Sequence, residues 1–424
     1  MKTTYVAGNS ARRWFAPRWN VSKRDVPSVT PAAIKPSPVA AKLDDPTLVA
    51  LAAKVHDPKL ATLLDHLAGV LALNKKLRAT RSQATYFEVK GKDRAVMVER
   101  IGVVRAQLAT LGPSEDPNIV AFCVAVNHRL EEIAPYHFQL NIPTIESPEK
   151  WSTCNVTSLA MCLEVLGIGP SSYPASEHKK LLAVASVFKG DIAQARLAAD
   201  GTDASLSSLM GLRFPDFLEL AAVVEFITSA EPGHDEVVAA AVKAVRAKAQ
   251  GPFLKELARK FGAPAKDKPI RWDPSRTRDE NRETTDKLND YDSAHRGNGG
   301  HGVEQLSTAR NIAEKATDPK TKAADTKRYE ALLPKQRAAL EGEGIEKDLS
   351  LESYKSAVIR ELAPELDAGR GVIAGLYMHW TRLYGIDGDH ILVQDPGAWN
   401  RTEINLTWAE ARAMGYFWAT IVVG

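Results

Sequence analysis

Cys154 stands where a polar loop, Trp151-Ser-Thr-Cys154, gives way to an apolar helical pattern. Val156, Leu159, Ala160, Leu163 and Leu166 recur at three- and four-residue steps, which predicts a helix over 154–167 stopped by Gly167-Ile-Gly-Pro170. A thiol in the first turn of a helix meets unpaired backbone N–H groups and the positive end of the dipole. Both favour the thiolate, the nucleophilic form. Lys150, four residues earlier, adds to that positive field. A small buried hydrophobe at a helix start is the plainer reading of such a cysteine, and what displaces it lies more than two hundred residues downstream.

There the run His379-Trp-Thr-Arg-Leu-Tyr-Gly385 is followed by Ile-Asp-Gly-Asp, then by His390-Ile-Leu-Val-Gln-Asp395-Pro-Gly397. Two strand-forming stretches around a Gly- and Asp-rich turn predict a β-hairpin. If the turn is centred on Asp387, His379 faces Asp395, Thr381 faces Val393 and Leu383 faces Ile391. An imidazole beside a carboxylate is a general base with its orienting partner: the carboxylate fixes the tautomer and supports the imidazolium. Cysteine, histidine and aspartate then supply nucleophile, base and orienter. His390 is the rival base, but its five-residue spacing from Asp395 on one strand points the two side chains to opposite faces.

The elements that must position these residues read as follows. Residues 1–40 are rich in Pro, Ser, Ala and basic residues, as expected of a flexible leader carrying Trp14, Phe15 and Trp19 among Arg12, Arg13 and Arg18. Residues 41–135 are helical throughout, with Asp45-Pro46 and Asp57-Pro58 as helix starts, and form an N-terminal helical domain. Residues 136–424 form a second domain in which helical runs occupy about 190–366, an insertion between its two flanks. A polar stretch from Lys266 to about Asn311 reads as a mobile loop or lid. The last part changes period from helix to strand: 371–377, the hairpin, 401–405, a short helix over 407–414 and an apolar strand over 416–423.

Composition narrows the rest. The 424-residue chain has a formal net charge of +3, with no basic stripe, which argues against nucleic acid as a partner. Three cysteines, Cys123, Cys154 and Cys162, are too few and too odd for a disulfide framework. Cys123 and Cys162 fall within apolar helical runs and read as core. No run reaches the length of a membrane span. Ser10-Ala-Arg-Arg-Trp-Phe15 resembles a twin-arginine signal but lacks an apolar segment behind it. The expected location is the cytoplasm, with export, if any, by a route other than Sec. His295 and His301 lack a second set of ligands at metal spacing, so no metal and no cofactor is called for.

The stretch Cys154-Asn-Val-Thr-Ser-Leu-Ala-Met161 with Leu163 and Gly167, then His379-Trp380, Gly385-Ile-Asp387 and Asp395-Pro396, resembles the papain-like cysteine peptidases, and among them the bacteriocin-processing (double-glycine leader) branch. The resemblance covers about 136–170 and 368–424. It implies an α+β fold in which a nucleophile helix packs on an antiparallel sheet, with Cys154 as nucleophile, His379 as general base and acid, and Asp395 as orienter. It also implies an oxyanion glutamine upstream of the cysteine, for which Gln139, fifteen residues earlier, is the candidate.

The expected activity is hydrolysis of a peptide or amide bond through a thioester, on a peptide, protein or peptidoglycan substrate. A leader without a Sec signal would suit delivery by a secretion or injection machine, as for an antibacterial effector. A peptidoglycan amidase or endopeptidase and a transglutaminase-like acyl transferase use the same residue types. From another class, a non-catalytic scaffold on the same fold is the competing reading.

Overall fold

A computed structural model describes residues 43, 45–79, 92–133, 153–187, 197, 204–227, 235–248, 251–297, 302–316, 318–376, 378–397 and 404–424. The leader, the 136–143 segment with Gln139, Lys150, and His301 lie outside the described residues. The fold is mixed α+β, mostly helical, with one antiparallel six-stranded sheet. Its described residues fall into two compact units. The first holds 43–265 with 366–371 and 423–424. The second holds 266–365 and 372–422. The division falls inside the range read as an insertion, and the Cys154 helix belongs with the N-terminal helices.

The first unit begins with α1 (Pro46–Ala52), α2 (Leu60–Ala79), α3 (Lys92–Leu111) and α4 (Pro117–Glu132). Asp45 caps α1 by accepting from the N–H groups of Thr47 and Leu48, with Pro46 at the first helical position, as the sequence indicates. Leu63, Leu64, Leu67, Ile101, Val104, Phe122, Val126 and Leu130 close one core in which Cys123 is also buried. The cysteine helix follows as α5 (Cys154–Val165), then α6 (His178–Val187), α7 (Leu206–Met210), α8 (Phe214–Phe226), α9 (Asp235–Lys248) and α10 (Gly251–Lys260).

The second unit carries β1 (Ala265–Asp267, which straddles the boundary), α11 (Arg278–Asp292), α12 (Gly302–Lys315), α13 (Pro319–Glu341) and α14 (Leu351–Asp367). They are followed by β2 (Gly371–Leu376), β3 (His379–Ile386), β4 (His390–Gln394), β5 (Ile404–Thr407), α15 (Trp408–Ala413) and β6 (Ala419–Val423). The strand order is β1-β6-β2-β3-β4-β5, so β6 is interior, in keeping with its apolar sequence. Tyr354 of α14 stacks on Trp272 with ring centroids 5.5 Å apart and donates from its hydroxyl to the Tyr416 carbonyl. The open edge of β5 is closed by a side chain: Asn311 donates from its amide to the Asn405 carbonyl, and its Oδ1 accepts from the Asn405 N–H. That amide takes up one backbone donor and one backbone acceptor on the edge.

The expectation of a mobile loop from Lys266 to about Asn311 is corrected. Most of that stretch is β1, α11, a π-turn over Ser293–Gly297 and α12. Thr277 and Glu280 form a capping box at the start of α11. The buried positions Asn281, Thr284, Leu288, Tyr291 and Asp292 trace one helical face. Few of them are apolar, so a hydrophobic-period reading passes over the helix.

Candidate active site

The hairpin forms, but with another register. The connection is Asp387-Gly-Asp-His390, closed by the Asp387 N–H donating to the His390 carbonyl at 2.9 Å. The Asp387 carboxylate accepts from the N–H groups of Asp389 and His390. This local capture moves the turn centre beyond Asp387. Arg382 faces Gln394 and Leu383 faces Val393, two residues away from the expected pairing, after a bulge at Tyr384 takes up one residue. Because the ladder period is two, a shift of two on the His379 side of the bulge leaves the side chains there on their expected face. His379 and Asp395 therefore still share a face, now as diagonal rather than direct neighbours, which long side chains can bridge.

They do bridge. His379 Nε2 lies 2.6 Å from Asp395 Oδ1, and both residues are buried. A carboxylate only accepts, so Nε2 carries the proton. The same Oδ1 accepts from the Gly397 N–H at 2.8 Å. Gly397 lies close over the pair: a Cβ built there would stand 3.3 Å from Asp395 Oδ1 and 3.4 Å from His379 Cε1. The turn Asp395-Pro396-Gly397 thus fixes the carboxylate, and the carboxylate fixes the imidazole. His390 is engaged elsewhere, its Nδ1 3.2 Å from Asp387 Oδ1 in the turn.

Cys154 is the first residue of α5 and is buried, as is every residue of that helix. Thr153 is the N-cap residue, and Thr157 donates from its hydroxyl to the Thr153 carbonyl at 2.7 Å. The far end closes as a Schellman motif: the Ile168 N–H donates to the Leu163 carbonyl and the Gly167 N–H to the Glu164 carbonyl, each at 3.0 Å. Gly167, at φ 77°, is pressed against Gly102 of α3; an added Cβ would come within 2.2 Å of the Gly102 Cα. Two arginines of α3 secure the same end. Arg94 makes a bidentate pair with Glu164 at 2.9 and 2.8 Å, and Arg105 donates to the Val165 carbonyl at 2.9 Å.

Of the other thiols, Cys123 sits in the core of α1–α4 and its pKa is raised by burial. Cys162 is fully buried, with Gly371 directly against it. Helix α8, packed on α5, carries Glu219, whose carboxyl is pushed up to about 8 by burial and then by the charge of Asp216. Glu219 escaped the sequence reading, although an acid inside Phe214-Pro-Asp-Phe-Leu-Glu-Leu-Ala-Ala-Val-Val224 is visible as a charge in an apolar run. The structure thus brings His379 and Asp395 together and sets Cys154 at a helix start in the other unit. Gln139 lies outside the described residues.

Among the described residues no group of three His, Cys, Asp or Glu side chains is placed to hold a metal ion. His295 directs Nδ1 to the Tyr291 carbonyl at 2.8 Å, within the π-turn. No described helix is long and apolar enough to cross a membrane. No family model, curated protein or solved structure matches the chain.

Proposed function

We propose that this chain is a cysteine hydrolase that cleaves a peptide or amide bond through a thioester, on a papain-like core whose nucleophile helix is α5 and whose base lies on the hairpin. The observation that carries the reading is the buried 2.6 Å contact of His379 with Asp395, a pairing that a merely structural hairpin does not need. In this mechanism Nε2 is held by Asp395, so His379 Nδ1 takes the Cys154 thiol proton while sulfur attacks the carbonyl carbon. The oxyanion is held by the Cys154 N–H and the Gln139 side-chain amide. The C–N bond then breaks, with His379 returning its proton to the leaving amine. A water deprotonated by His379 attacks the thioester, the carboxylic acid departs, and the thiol is restored.

The test uses the full chain beside Cys154→Ala and His379→Ala. Each is incubated with purified sacculi and with an unfolded protein, and Cys154 is examined by intact-mass spectrometry for an acyl adduct. The expected result is an adduct on the wild type, absent from both variants, with new amine termini from one of the two substrates. Muropeptides released from sacculi would make the enzyme a peptidoglycan amidase or endopeptidase. Transfer to an added amine in place of water would make it an acyl transferase. Equal and slow alkylation of Cys123, Cys154 and Cys162, unchanged in His379→Ala, would leave the scaffold reading standing and end the enzyme proposal.

A further inference from the structure

Two described residues other than glycine hold a left-handed backbone, Phe417 at φ 73° and Met378 at φ 53°. In that region the Cβ of an L residue crowds the following carbonyl. At Phe417 packing offsets the strain: the residue is 1% exposed, its ring meets Tyr354 and Tyr416, and its N–H donates to the Gly375 carbonyl. Met378 receives nothing comparable, for it is 84% exposed. The turn explains the conformation but not the residue. Leu376 pairs with His379, so only two residues connect β2 to β3. Short hairpin connections demand positive φ, which glycine and asparagine supply at least cost. Methionine here is neither favourable turn chemistry nor core packing.

Single exposed apolar residues are common, and Val120 and Val237 are others in this chain, at 44% and 36%. Both sit on helices with ordinary backbone. Met378 differs in adjoining the proposed base. Strain kept where no packing offsets it is characteristic of functional positions, and a thioether on a flexible stem adapts to varied apolar surfaces. We infer that Met378 is a specificity-determining residue that gives the His379 site a preference for substrates with an apolar side chain beside the bond to be cut. The inference rests on the hydrolase reading above.

The test compares two electrophiles with one warhead, iodoacetamide and its N-phenyl derivative, on the full chain. The rate at Cys154 is followed by peptide mapping, and each rate is divided by that of the same reagent with dithiothreitol. The wild type should prefer the phenyl reagent by about fourfold, the effect of removing roughly one methylene's worth of surface from water. Met378→Leu should keep the preference, and Met378→Asp and Met378→Asn should abolish it. Met378→Asn should melt no lower than the wild type, since asparagine tolerates the left-handed backbone. A wild type without preference, or Met378→Asp retaining it, overturns the inference while the dependence of Cys154 labelling on His379 still stands. Loss of that dependence removes the hydrolase reading, and this inference with it.

Discussion

The two parts of the proposed site are held by different means. Around Cys154 the position is set by packing and buried ion pairs that tie α5 to α3 over some seventy residues of sequence: every helix residue is buried, and Arg94 and Arg105 clamp its last turn. Around His379 the position is set within one hairpin, by the polar chain from the Gly397 N–H through Asp395 Oδ1 to Nε2. The cysteine end therefore depends on the stability of a whole unit, and the histidine end on three local groups. Damage to the first should be read in unfolding curves, and damage to the second in rates.

The largest separation of the two comes from Asp395→Ala. The substitution removes the acceptor that holds the Nε2 proton, so neither the tautomer nor the ring orientation is fixed. Alkylation of Cys154 at neutral pH should slow by about 10²-fold, the lower end of what a positioned base contributes. The urea midpoint should move less than in the Arg94 variant below. A rate within twofold of the wild type would break the comparison, because the hairpin pair would then have no bearing on the thiol.

Arg94→Met tests the opposite end. It leaves the Glu164 carboxylate buried without its bidentate partner, a loss of about 3–5 kcal/mol. Urea denaturation should show it, while the alkylation rate of the folded fraction stays close to that of the wild type.

Glu219 sharpens the same contrast through pH. Its carboxyl is raised from the usual 4.5 to about 8, so between those values the folded unit holds a proton that the unfolded chain has released. Stability from this group is complete below the lower value and falls as pH rises to the upper one, by at most about 1.4 kcal/mol per unit. Above that range it levels off. Glu219→Gln should flatten the melting-temperature profile over that interval. A profile identical to the wild type would show that Glu219 titrates as an ordinary carboxyl.

What could be read from the sequence follows the same division. The hairpin partners were legible because ladder parity survives an error of two residues, so Asp395 stayed on the face of His379 although the Asp387 carboxylate displaced the turn. The start and stop of α5 were legible from its apolar period and Gly167. The arginine clamps on α5 were not, since nothing local in 92–111 shows that Arg94 and Arg105 meet a helix some sixty to seventy residues on. Helix α11 was missed because its buried face is largely polar. One local signal was present there: Thr277-Arg-Asp-Glu280 has the spacing of a capping box.

That signal supports the smallest effect expected. The Thr277 hydroxyl accepts from the Glu280 N–H, while the Glu280 carboxylate accepts from the Thr277 N–H and hydroxyl, which hold its pKa below the usual value. Thr277→Ala removes the cap at a cost of about 1 kcal/mol, or roughly 2–4 °C for a unit of this size. If α11 were a lid free to leave the second unit, the substitution would raise amide exchange over 278–292 and leave the global melting temperature unchanged. Tyr291, whose hydroxyl donates to the Ala339 carbonyl at 2.7 Å, and the buried Leu288 argue for the other outcome. Exchange and melting should shift together, as for a helix built into the core.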